Sequence, residues 1–380
     1  MNIAFDAVPL VSDKMTGIGW CEAGQTTAMA RMYPQNNYCY NFFSRKDDHI
    51  KLERLKPFTQ DIKPNLAHFS GYIYRAASNF LPIPYSRFFG KNADITHFFN
   101  YIAPPGVKGK TVITVHDMVY KAFPETVRAR TKYMLDTGLR RSMKRADLIV
   151  TDSEFSKSEI IKYFPQHEEK LFVVPCGVDL EKFHPCNEPE RIPDVKKTLG
   201  INGEYFLYLG TIEPRKNLER LIEAYNIFIQ RVKKDPPKLV LAGGKGWLYD
   251  SIFNKVSELG LSEKVIFTKY VPAKDMNPLM CGALAFVFPS VYEGFGMPPL
   301  EAMACGVPVL TTAEASLPEV TGDCAVIADA YSPESIADGL ESLYSSRELR
   351  ERLSKDGIKR AKGFTWERSA EILYDLYKKL

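Results

Sequence analysis

The chain has 380 residues, 45% of them hydrophobic and 25% charged, with a formal net charge of +4. That length exceeds what a single core usually fills, so two domains are expected, and the composition excludes a disordered or fibrous chain. So slight a positive excess gives no ground for a nucleic-acid partner, and none is expected. The opening MNIAFDAVPLVSD lacks a basic stretch followed by a long apolar run, so no signal peptide is expected. No apolar run approaches the length of a membrane helix. Seven cysteines at irregular spacings, none in CxxC, and six scattered histidines point to free thiols, a cytoplasmic setting and no zinc knuckle.

In chain order, the first strand-like runs are Ile3–Ala7, Val112–Asp117, Asp147–Ser153 and Leu171–Asp179. The stretch Tyr38–Tyr101 is rich in aromatics and shows no clean crossover unit. A polar, proline-bearing segment, His184–Gly200, is the expected domain boundary. Beyond it come Tyr205–Thr211, Lys238–Gly244, Lys264–Val271, Leu284–Ser290, Val307–Thr312 and Cys324–Asp329. Most of these runs are continuously apolar, as strands covered on both faces should be. Helices are expected at Asn217–Val232, Trp247–Leu259 and Pro333–Tyr344, and a last amphipathic helix would bury Trp366, Ile372, Leu373 and Leu376. Strand–helix alternation at this spacing predicts an α/β chain with domains at 1–185 and 200–362 and a final segment 363–380.

The chemistry-bearing residues gather near predicted strand ends, where open α/β sheets bind ligands. In PSVYEGFGMPPLEAMACG, Gly294 and Gly296 permit a tight turn, and Pro298 and Pro299 suit a first helical turn before Leu300–Cys305. Such a helix start attracts an anion, while Glu293 and Glu301, eight residues apart, suit hydroxyl donors. Phosphate plus hydroxyls describes a nucleotide sugar. In GTIEPRKNLERL, Arg215 and Lys216 stand at a predicted helix start, opposing its macrodipole, which is sensible if a diphosphate bridges them. Gly17 and Gly19 follow the first strand as a GxG turn that could approach phosphate, or serve only as a strand–helix turn. His116 ends a buried strand with Asp117 beside it, either as a satisfied core histidine or as a sugar-hydroxyl partner oriented by Asp117. Pro124–Asp147 carries seven Arg or Lys residues along an apolar stripe of Val127, Met134, Leu135, Leu139 and Met143. Such a helix is either a solvated face or one drawn to an anionic membrane. GxxxxGK[ST], GxSxG and DxD are all missing, so neither a P-loop, an α/β-hydrolase elbow nor a DxD metal–diphosphate clamp is expected.

GTIEPRKNLERLIEAY together with PSVYEGFGMPPLEAMACGVPVL resembles the retaining glycosyltransferases of family four, the large group-one family. The resemblance is strongest over Tyr205–Asp329 and fainter through VHDMVY and ADLIVTDSEFSKSEI. It implies a GT-B architecture: two Rossmann-like domains facing across a cleft, with the last helix crossing back to the first. It implies that Glu301 holds the ribose hydroxyls, Glu293 sits by the transferred sugar, and the Gly294–Met297 backbone, Phe295 and Gly296 included, lies near the diphosphate. Arg215 and Lys216 would neutralise the leaving diphosphate, His116 would stand near the donor sugar, and the leaving phosphate would take the acceptor proton. No cofactor or metal is implied, and this version of the Glu-Pro-Arg-Lys-Asn motif suggests GDP-mannose ahead of UDP-glucose. The acceptor would be a saccharide or a lipid-linked hydroxyl at the inner membrane surface, in polysaccharide or cell-envelope glycan synthesis. The chain departs from many relatives at Thr211, where they carry a third cation, and around Trp20 and Cys21. Other readings are a UDP-sugar glucosyltransferase, a non-hydrolysing sugar-nucleotide epimerase on the same fold, and a nucleotide-sugar sensor that transfers nothing.

Overall fold

A computed structural model describes the chain apart from positions 14, 79, 80, 82, 233, 234, 245, 247 and 248. Its contacts separate two units: Met1–Gly177 with Trp366–Leu380, and Val178–Thr365. The polar segment His184–Gly200 therefore lies inside the second unit rather than between the two. Local bonds hold it there. Val178 N–H donates to the Phe364 carbonyl at 2.9 Å, the His184 carbonyl accepts from Asn277 at 2.8 Å, and Arg191–Leu199 is helical.

The first unit is built on a parallel sheet of β1 (Asn2–Asp6), β2 (Asn37–Ser44), β3 (Lys63–His68), β4 (Ile95–Phe98), β5 (Lys110–Thr114), β6 (Leu148–Thr151) and β7 (Leu171–Val173). The order is β3-β2-β1-β4-β5-β6-β7, so the chain reverses its winding between β1 and β4. Three of these strands occupy the aromatic stretch that shows no crossover unit in sequence. NYCYNFFS places Asn41 opposite Asp6, and KPNLAH is an edge strand whose Pro64 is tolerated there.

Helix α1 (Gly17–Met32) packs beneath this sheet and receives the C-terminal helix, Trp366–Tyr377. Gly24 makes the approach possible: a Cβ there would come within 2.2 Å of the Trp366 ring. Tyr33 stacks on Tyr374 at 3.7 Å, Gln25 donates to Ser369 at 2.9 Å, and the Tyr377 hydroxyl meets His97 Nδ1 at 2.6 Å. Leu373 and Leu376 are buried, while Trp366 and Ile372 are half-buried. Helix α2 (Ala129–Arg145) buries Leu135, Leu139 and Met143, a strict i, i+4 ladder. Met134, expected on that stripe, is instead 41% exposed because it lies off the ladder's face.

The second unit repeats the grammar with β8 (Tyr205–Leu209), β9 (Lys238–Ala242), β10 (Val265–Lys269), β11 (Ala285–Phe288), β12 (Val309–Thr312) and β13 (Ala325–Ala328), ordered β10-β9-β8-β11-β12-β13. Its helices include α3 (Leu218–Arg231), α4 (Met297–Ala304) and Pro333–Ser345. The helix expected at Trp247–Leu259 occupies Asp250–Glu258, and the start of that expectation lies outside the described residues. Among the described residues, no helix is long and apolar enough to cross a membrane.

Candidate active site

In the second unit the sheet reverses between β8 and β11, and the loops leaving these two neighbouring strands carry the predicted cations and acid. Arg215 and Lys216 sit in a single 3-10 turn, Pro214–Lys216, ahead of α3 rather than in its first turn. Asn217 separates the two elements in a left-handed conformation, φ 61°. Its amide donates to the carbonyls of Pro289 (3.1 Å) and Ala330 (2.6 Å), and Val291 N–H donates to the Arg215 carbonyl at 3.1 Å. These bonds knit the β8 loop to the β11 loop and to the chain just beyond β13. A residue strained in this way persists only when its surroundings hold it.

The side chains then converge. Glu293, buried, accepts from Lys216 at 2.6 Å on one oxygen and from Arg215 at 3.0 Å on the other. Arg215 also donates to the Tyr292 carbonyl at 2.7 Å and to Glu213 at 2.8 Å. Lys216 lies 4.9 Å over the Phe288 ring. Burial would raise the Glu293 carboxyl, but Arg215 and Lys216 hold it down at about 2, so it is ionised. Two carboxylates and two cations thus sum to zero within one hydrogen-bonded cluster. A diphosphate entering here would compete with Glu293 and Glu213 for donors already aimed at oxygen.

Beyond Glu293, Gly296 adopts φ 107°, a backbone that favours glycine, and α4 begins at Met297. Gly294 needs no such conformation. The prolines fall just inside the helix start, removing two first-turn donors, so the anion-binding capacity expected there rests on N–H groups such as those of Gly296 and Met297. The Ser316 hydroxyl, buried, lies 2.9 Å from the Glu293 carbonyl and 2.7 Å from that of Phe295, pinning the turn from behind. Glu301 stands one turn into α4. Burial raises its carboxyl to about 7, Asp179 adding to the rise and Lys182 opposing it. An acid so placed titrates near neutrality.

In the first unit, Gly17 and Gly19 do not form a loop before the helix; they are in the first turn of α1. Gly17 is exposed, while Gly19 is buried, where a Cβ would come within 2.6 Å of Met15. His116 follows β5 and is buried, but Asp117 does not orient it. Asp117 accepts from the Tyr101 hydroxyl at 3.1 Å and from Val119 N–H at 3.1 Å. Asp152, at the end of neighbouring β6, takes that role: its Oδ2 lies 2.6 Å from His116 Nδ1, and His116 Nε2 lies 2.7 Å from the Phe99 carbonyl. The Cys21 thiol reaches Asp152 Oδ1 at 4.0 Å, and Cys176 meets Cys21 at 3.5 Å. Cys21, His116 and Asp152 bring a thiol, a ring nitrogen and a carboxylate oxygen within 4.8 Å of one another. A metal there would need a ring nitrogen with a free lone pair, and both nitrogens face acceptors. Asp152, Glu213, Ser316 and the thiol pair are the participants a reading of the sequence misses. The signal for Asp152 was available, since DLIVTDS and VITVHD both end in a polar residue.

Residues 192–360 match the family model described as Glycosyl transferases group 1, and residues 29–182 the one described as Glycosyltransferase Family 4. An O-antigen chain mannosyltransferase B of Escherichia coli is 36% identical over 290 residues, 75% of this chain and 74% of that protein. A serotype-specific mannosyltransferase WbdA of the same species is 28% identical over 287 residues, 73% of this chain and 34% of its own length. The Anabaena protein HepE, solved with UDP and glucose, shares the fold over the whole of both chains, with a TM-score of 0.75 at 17% identity. With both sheets wound alike and both family models matched in order, the architecture is GT-B and the chain belongs to the group 1, family 4 glycosyltransferases.

Proposed function

We propose that the chain transfers mannose from GDP-mannose, with retention of anomeric configuration, to a hydroxyl of a saccharide or lipid-linked acceptor in polysaccharide synthesis. The observation that carries this reading is the buried Arg215–Glu293–Lys216 cluster at the ends of β8 and β11. Its cations suit a leaving diphosphate, whose charge grows as the sugar–phosphate bond breaks, so their help is greatest in the transition state. Glu293 then turns to sugar hydroxyls and Glu301 to the ribose. The choice of mannose leans on the 36% identity to a mannosyltransferase. Calorimetry with GDP-mannose, UDP-glucose, UDP-GlcNAc, GDP and UDP, without added metal, tests the donor. GDP-mannose should bind, and Lys216→Ala should weaken it. Binding of UDP-glucose instead would replace the donor, and epimerisation of UDP-GlcNAc alone would replace the reaction class. The anomer of the product, read by NMR, tests retention.

The acceptor is proposed to be met at an anionic membrane surface. Arg130 on α2 lies 5.0 Å over the Tyr72 ring, with Tyr133 64% and Tyr72 66% exposed nearby in sequence to further cations. Aromatic and basic side chains exposed together suit the headgroup region.

A further inference from the structure

The hydrogen bonds around His116 carry a statement about charge that its sequence position does not. A neutral imidazole has one N–H and one lone pair. The Phe99 carbonyl can only accept, so Nε2 must carry a proton. Nδ1 faces Asp152 Oδ2, and at 2.6 Å one proton lies between the two groups. A histidine ordinarily holds a proton more tightly than an aspartate by between two and three pK units, roughly 6.5 against 3.9, which places that proton on the ring. The remaining Asp152 oxygen accepts from the Cys21 thiol at 4.0 Å. Other groups around the ring are the edge-on Tyr101 at 5.7 Å, whose hydroxyl is spent on Asp117, and His97 on β4. The Ser156 hydroxyl donates to the His116 carbonyl at 3.0 Å.

His97 supplies an internal control. It is as deeply buried, yet its partners are the hydroxyls of Tyr377 (2.6 Å) and Thr114 (2.8 Å), each able to donate or accept. Burial and the nearby charge of His116 push His97 well below the usual range, so it is neutral. For His116 burial pulls the same way, but the Asp152 carboxylate overrides it and pushes the ring up to about 10.

The geometry points to His116 as a permanent imidazolium, locked by Asp152 and the Phe99 carbonyl, that serves as a fixed positive charge at the carboxyl edge of the first sheet and not as a proton donor or acceptor. Asp152 is then a positioning residue. Only the consequence for turnover rests on the transferase reading; the charge state stands apart from it.

The test is ring ¹⁵N NMR of the full chain labelled at histidine, with His116 assigned by its loss in His116→Asn, together with transfer rates from pH 6 to 9. Two imidazolium-type nitrogens at pH 8 are expected in the wild type, with no titration of His116 in that range. Asp152→Asn removes the carboxylate while the burial remains, so the ring should be neutral, with one unprotonated nitrogen, throughout pH 6 to 9, and kcat should fall on the order of 10²-fold below the wild type at every pH in that range. Asp152→Glu should restore the imidazolium signature. A wild-type ring that titrates between pH 6 and 7 overturns the inference. So does a neutral ring with its proton on Asp152, seen as one unprotonated nitrogen at pH 8. Imidazolium signals with no transfer from any donor would keep the charge state and sink only the proposed reaction.

Discussion

The two sheets hold charge in different ways. In the second unit the ionic cluster is short-range in two loops: Glu213, Arg215 and Lys216 lie within four residues, and Glu293 joins them from the neighbouring strand end. Its members are salt-bridged at the carboxyl ends of two central strands, Lys216 and Glu293 buried and Arg215 and Glu213 partly so, and a competing anion could exchange with them. In the first unit the polar chain Cys176–Cys21–Asp152–His116–Phe99 draws one residue from each of five places, every link buried. On the proposed reading, one arrangement is rearranged by the donor, while the other stays as it is.

That contrast can be broken most readily at Glu293. Glu293→Ala leaves buried Lys216 without its carboxylate while Arg215 keeps Glu213, and loss of a buried partner costs about 3–5 kcal/mol, read as a lower urea midpoint. Lys216→Ala keeps the Arg215–Glu293 pair, so the fold should survive while kcat drops on the order of 10²–10³-fold. Equal loss of stability in the two variants would show the cluster to be structural rather than functional. Next in size, Gly24→Ala forces the Trp366 ring aside, an overpacking worth about 1–3 kcal/mol, detected by thermal melting.

Titration sharpens the comparison further. Glu301, raised to about 7, binds a proton in the folded chain that the unfolded chain has released above its ordinary 4.5. Stability contributed by this group therefore falls as pH rises from 4.5 to 7. Donor affinity should move the other way, since only the carboxylate accepts two ribose hydroxyls. Calorimetry should show tighter binding at pH 8 than at pH 6, and Glu301→Gln should flatten the difference. For Glu293, lowered to about 2, the stabilisation is present above 4.5 and lost as pH falls toward 2. The smallest effect is expected on α2: Arg130→Gln should weaken binding to anionic vesicles by about 1 kcal/mol without changing turnover of a soluble acceptor.

The second unit's site was legible because Gly, Pro and charged residues interrupt long apolar runs there, marking strand ends plainly. The continuous runs of β8, β9 and β11 also announce buried parallel strands. Three strands of the first sheet were not legible. β2 mixes Asn41 and Ser44 among aromatics, β3 is a polar edge, and β4 has only four residues, so none shows a clean period. The partner of His116 was misread for a geometric reason. Consecutive side chains on extended backbone point to opposite faces, so Asp117 turns away and the neighbour that counts is at the end of the adjacent strand. Thirty-six residues separate His116 from Asp152, and only the strand order makes them adjacent.

The seat of Trp366 against Gly24 has a consequence for how the chain is made. Residues 178–365 are an uninterrupted unit and can fold as soon as they leave the ribosome. The first unit, though synthesised earlier, lacks its last helix until residues 366–380 emerge, and meanwhile the apolar groove along α1 stays open. The half of the protein translated first is therefore the half completed last, and during that interval it is the natural client for a chaperone.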